Sequence, residues 1–148
     1  MSILADRRAR RTPWHLWVVG VLSLLWNAVG AADFTLTQMQ HEQYMSNFTP
    51  EQLAYFYGFP VWVIVCWGIA VWGAVLGSIL LLMRRRPAAL AFFISLLAMI
   101  ATSVRNLLLS DGLQVMGDTA LWFSAVIFVI ALALFVYAGI MNRRNILR

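Results

Sequence analysis

The sequence contains no lysine, one cysteine and two histidines, and charged residues fill only 11% of its 148 positions. A lone cysteine, Cys66, excludes an intramolecular disulfide and the families that need paired cysteines for metal or haem attachment. Lying inside an apolar run, Cys66 reads as a small buried hydrophobe. The histidines lie apart, His15 at the cytoplasmic edge of the first apolar stretch and His41 in the outer loop, so they form no pair able to ligate haem within a membrane. No His/Cys/Asp/Glu cluster has metal-ligand spacing, and no glycine loop is built to cradle a phosphate. The apolar runs hold no acid or histidine beyond their edges, which leaves any nucleophile without a base. The first run also lacks the embedded carboxylate that a small proton-coupled exporter needs. The expectation is a protein that is not an enzyme, with no catalytic residues, no metal and no cofactor beyond contacts with lipid or an apolar pigment.

Apolar residues, by contrast, make up 62% of the chain, with seven tryptophans and nine phenylalanines. Soluble globular chains hold roughly 45–50%, and a water-soluble fold of this composition would expose apolar patches that drive association. Burial in a bilayer removes that difficulty. Four runs have spanning length: 14–32, 59–83, 88–109 and 120–141. At a rise of ~1.5 Å per residue the first covers roughly 28 Å, close to the hydrocarbon thickness. The second is longer and is expected to tilt. None alternates with the period of two that a membrane barrel requires. The fold class that follows is all-α: a polytopic, four-transmembrane-helix bundle forming a single membrane domain.

The formal charge of +5 rests entirely on eleven arginines. Ten lie in clusters beside the apolar runs: in the basic arm 1–13, in the turn 84–87 and in the tail 142–148. Basic clusters against spanning segments set topology rather than read nucleic acid, and they attract anionic headgroups. All three fall on one side of a four-span chain, which places both termini in the cytoplasm and, for a bacterial inner membrane, the segments 33–58 and 110–119 in the periplasm. The basic arm, the apolar stretch and Gly30-Ala31-Ala32 before Asp33 also have the form of a secretory signal. The near-spanning length and tryptophan content favour a retained helix, and three remaining spans could not keep all the arginine clusters on one side.

Within 33–58, Thr49-Pro50-Glu51-Gln52 has the chemistry of a helix start: a capping threonine, proline at the first position and glutamine where a capping box wants it. Gly58 and Pro60 supply the stop. The spacing of Leu53, Tyr55, Phe56 and Tyr57 predicts a short amphipathic helix over 50–57, lying in the membrane interface.

Helices in lipid associate through small residues and buried polar contacts. Cys66, Ala70, Gly73 and Gly77 share one face of the second span, and Ser124, Ala131 and Ala138 recur every seventh residue on the fourth; both stripes read as helix-packing surfaces. Trp67 projects about 100° from the glycine face, toward lipid. Polar residues inside the spans are the more informative. Ser23 and Asn27 on the first, flanked by Trp26 and Asp33, and Thr102, Arg105 and Asn106 on the third approach the same end of the bundle. A charged group at mid-depth costs about 2.5–3.5 kcal/mol or more, so such groups turn inward. Two arrangements fit. In one, an Asp33–Arg105 ion pair closes a polar cavity lined by Trp26, Asn27, Thr102 and Asn106. In the other, Arg105 snorkels to headgroups and the two asparagines join helices.

The stretches Leu24-Leu25-Trp26-Asn27-Ala28-Val29-Gly30-Ala31, Phe48-Thr49-Pro50-Glu51-Gln52-Leu53-Ala54-Tyr55 and Gly58-Phe59-Pro60 resemble a group of small proteobacterial inner-membrane proteins often labelled sugar transporters. The resemblance implies four spans and transport, without a substrate or binding residues. Few intramembrane charges and abundant tryptophan and phenylalanine suit an accessory or assembly subunit that binds other membrane helices, in a larger complex or a homo-oligomer; a small-solute transporter using the polar cavity is the alternative.

Overall fold

A computed structural model describes residues 12–108 and 112–147. Among them every element is helical: α1 (Trp14–Gln38), α2 (Glu42–Met45), α3 (Pro50–Tyr57), α4 (Val61–Leu82), α5 (Pro87–Leu108) and α6 (Gly112–Arg143). α1, α4, α5 and the part of α6 from Gly117 onward are each long and apolar enough to cross a membrane. The chain is an all-α integral membrane protein.

α4 packs against both α1 and α5, and α5 packs against α6. Close approach is possible because the contact faces are small. A Cβ placed on Gly77 would lie 2.8 Å from the ring of Phe92 on α5, and one on Gly73 would lie 3.4 Å from the Ser95 Cβ. The glycine stripe of the second span therefore meets the third. On its other side α4 receives α1, where Gly20 faces Leu82 and the Phe34 ring lies over Gly68. α1 and α6 meet through side chains: the Tyr137 hydroxyl hydrogen-bonds to His15 Nδ1, and the Trp26 and Phe123 rings lie 6.3 Å apart.

The best-buried core sits at the end that carries both termini. Leu16, Leu81, Phe92, Leu134, Ala138 and Met141 converge there, joined by Ile146 and Leu147 from beyond α6. The segment after the fourth span is thus not a free tail through Leu147. Asn145 adopts a left-handed φ of 56°, the Ile146 N–H bonds back to the Met141 carbonyl, and the chain folds under the bundle. α1 and α4 end in the same way, with Gln40 at φ 52° and Arg84 at φ 55°, and with His41 N–H to Leu36 O and Arg85 N–H to Leu80 O closing each last turn. This is the Schellman closure, here with residues other than glycine in the left-handed position.

Two boundaries differ by more than two residues from the apolar runs. α1 continues past residue 32 to Gln38, because the Thr35 and Thr37 hydroxyls donate to the Ala31 and Asp33 carbonyls (2.8 and 2.7 Å) and so are satisfied inside a helix. The predicted loop 110–119 contains helical turns from Gly112, and the helix is broken at Gly117 (φ 80°, ψ −177°), a conformation open to glycine alone. Residues 109–111 lie outside the described chain, as does the basic arm through Arg11. α3 occupies Pro50–Tyr57 with its capping box formed: Thr49 Oγ1 accepts from Gln52 N–H, and Gln52 Oε1 accepts from Thr49 N–H.

Three substitutions test this packing. Gly77→Leu forces a side chain into Phe92 and is expected to cost about 1–3 kcal/mol, whereas Gly139, whose Cβ position has nothing within 4 Å, should accept leucine without loss. Leu147→Ala should cost about 2–5 kcal/mol, as for other buried leucines; thermal unfolding in detergent reads all three.

Candidate functional site: an aromatic and arginine corner

Two separate groups of polar side chains bear on the candidate site. The first is a seam along α4. Asn27 Nδ2 donates to the Ala74 carbonyl (3.2 Å) and to Ser78 Oγ (2.9 Å), and Ser78 Oγ donates to the same carbonyl (3.0 Å). Ser95 of α5 donates to the Ala70 carbonyl, and Ser23 donates to the Gly20 carbonyl (3.0 Å). Every donor here closes on a helix, either a neighbour or its own. Asn27 is interhelical glue between α1 and α4.

The second group lies at the end opposite the termini, where α2, α3 and the start of α4 meet the far ends of α1 and α5. Rings in mostly edge-to-face contact run from Tyr44 to Phe48 (5.9 Å), Phe56 (5.3 Å), Phe59 (6.0 Å), Trp67 (6.0 Å) and Phe34 (5.0 Å). Each such pair adds about 0.5–1.5 kcal/mol beyond its buried area, so the chain of rings ties the α2–α3 segment to α1 and α4. Arg105 enters this corner from α5. Its guanidinium lies 4.9 Å from the Phe59 ring centre and 5.4 Å from that of Tyr55. Nη1 donates to the Tyr55 hydroxyl (3.3 Å) and Asn106 Oδ1 (3.5 Å), while the Tyr55 hydroxyl donates to Asn106 Oδ1 (2.9 Å).

These contacts redistribute the residues expected to line one cavity. Asp33 and Arg105 do not pair: Asp33 accepts from the Tyr44 hydroxyl, while Arg105 turns to α3 and α4. Nor is Arg105 extended away from the bundle; it is half-buried over aromatic faces. Asn27 faces α4 and Asn106 faces α3, so the two amides belong to different groups. Thr102 bonds back to the Ala98 carbonyl (3.0 Å), and Trp26 meets Phe123 of α6. The physical reason is the packing order: α4 stands between α1 and α5 and takes the contacts each would make with the other. A mostly apolar hollow between α1 and α4 is lined by residues that include Ala28, Ala32, Thr35, Leu36 and Trp72, and none of the expected cavity residues borders it.

Of the packing stripes, Ala70, Gly73 and Gly77 face α5, and Cys66 is half-buried. Ala138 is fully buried in the core, Ala131 half-buried and Ser124 exposed. Trp67 does not face lipid; it sits between Phe34 and Phe59. Sequence reasoning missed Tyr44, Tyr55 and Phe59 as partners of Asp33 and Arg105. Local periodicity carries no trace of a contact between Tyr55 and Arg105, which lie 50 positions apart. Comparison with protein-family models, curated proteins and solved structures finds no match.

Tyr44 gives this corner a titration signature. Partial burial, the hydrogen bond to Asp33 and the negative charge of that carboxylate push its phenol up to about 12 from 10.0. Because the folded-state value is raised, the stabilisation is complete below pH 10.0 and is lost as pH rises through about 12. Ultraviolet titration should show a late-ionising tyrosine that Tyr44→Phe removes and Asp33→Asn moves back toward the ordinary value.

Proposed function

We propose that the chain is a non-catalytic accessory or assembly subunit of a larger complex in a bacterial inner membrane, with both termini cytoplasmic. The orientation follows from the arginine clusters, which favour the cytoplasmic side. The observation that carries the subunit reading is the state of α6 in its half nearer Gly117. From Leu121 to Val129 every side chain except Ile127 is exposed, Trp122 at 73% and Phe123 at 58%, whereas among the described residues the buried side chains of α6 lie from Leu134 onward. A span that contributes half its length to its own bundle has the other half available to a partner. The small residues Ser124 and Ala125 in that half suit close helix approach.

Use of the polar seam supports the same reading over transport. Asn27, Ser78 and Ser95 hold helices together, and the residues expected to line a path between the first and third spans take other partners. The resemblance to proteins labelled sugar transporters keeps transport as the competing outcome.

Affinity purification of the tagged chain in mild detergent, followed by mass spectrometry, separates the two. The subunit reading expects one larger complex at fixed stoichiometry, lost in Ser124→Leu and Ala125→Leu while the thermal midpoint of the isolated chain is unchanged. A chain that purifies alone and moves solute into liposomes would refute it.

A further inference from the structure

We propose that Arg105, framed by Tyr55, Phe59 and Asn106, is a binding site for a phosphate group presented at the membrane surface on the α3 side. This goes beyond the subunit reading and does not rest on it. Arg105 stands apart from the other ten arginines, all of which belong to the clusters at 7–11, 84–86 and 143–148. Among the described residues no carboxylate lies within the 4.0 Å of an ion pair with its guanidinium. The acid expected to neutralise it, Asp33, is held by Tyr44 instead.

The frame is neutral and positions the cation without compensating it. Two ring faces lie against the guanidinium at 4.9 and 5.4 Å, and both hydrogen bonds that Arg105 donates to described residues leave from Nη1. Nη2 and Nε, one edge of the planar fork, have no hydrogen-bond partner among the described residues. That edge presents two parallel N–H donors, the geometry that accepts two oxygens of one phosphate. A cation held near the end of a span with no counter-charge among the described residues is costly, and an anion on the open edge offsets that cost. The Tyr55 hydroxyl and the Asn106 amide fix the fork against rotation, so little side-chain freedom remains to be lost on binding. A phospholipid phosphodiester and a soluble phosphate share this chemistry.

The test uses the full chain in a neutral detergent with three additions: phosphatidylglycerol, phosphatidylcholine and inorganic phosphate. Native mass spectrometry counts bound molecules, and the thermal midpoint is read in parallel. Binding of either phospholipid with no response to inorganic phosphate assigns a headgroup site; a response to inorganic phosphate assigns a soluble ligand. In either case Arg105→Gln should weaken binding by about tenfold or more, the loss of at least one charge-assisted contact. Tyr55→Phe keeps both ring faces and removes only the hydroxyl, so it serves if Arg105→Gln does not fold; it too should weaken binding. Absence of binding to all three additions, or equal binding by wild type and both variants, would overturn the proposal.

Discussion

In hydrocarbon a helix gains nothing by hiding leucine from its surroundings, so spans are held together by close backbone approach and by polar groups with nowhere else to go. In this chain both devices converge on α4. Gly73 and Gly77 admit α5, Gly68 admits the Phe34 ring from α1, and the Ala70 and Ala74 carbonyls take hydrogen bonds from Ser95 and Asn27. Remove that helix and α1 and α5 lose their principal neighbour. The placement of every candidate site residue follows from it, because a helix standing between α1 and α5 prevents their polar faces from meeting.

The two ends of the bundle are finished differently. At the termini, aliphatic side chains from all four spans close over Leu16 and Leu81, sealed by Ile146 and Leu147. At the other end the seal is aromatic, with the cation Arg105 set into it, and the α6 side chains from Leu121 to Val129 are exposed apart from Ile127. The contrast between a well-packed end and a half-exposed span is what the proposed subunit reading rests on.

The sequence made the architecture legible because membrane solvation writes long, coarse signals. Four apolar runs became four helices, and Thr49-Pro50-Glu51-Gln52 became a capped helix at the expected residues. The glycine stripe of the second span was legible as a packing face for the same reason: small residues at helical spacing have few other uses in lipid. What stayed hidden was pairing. Asp33 and Arg105 have opposite charge and neighbouring depth, yet each chose a tyrosine, because the identity of the adjacent helix decides which groups meet and periodicity says nothing of adjacency. Local backbone closure was hidden too: Gln40, Arg84 and Asn145 turn helix ends in a conformation usually given to glycine, so no residue type announced that the chain would fold back after α6.

Paired cysteines probe the α4 contact most directly. A Cβ on Gly73 would lie 3.4 Å from that of Ser95, close to the separation a disulfide requires. In a Cys66→Ala background, Gly73→Cys with Ser95→Cys should cross-link on mild oxidation in native membranes, while Gly139→Cys with Ser95→Cys should not. Free thiols in the first pair, with the protein folded and membrane-inserted, would contradict the packing of α4 on α5 and everything argued from it.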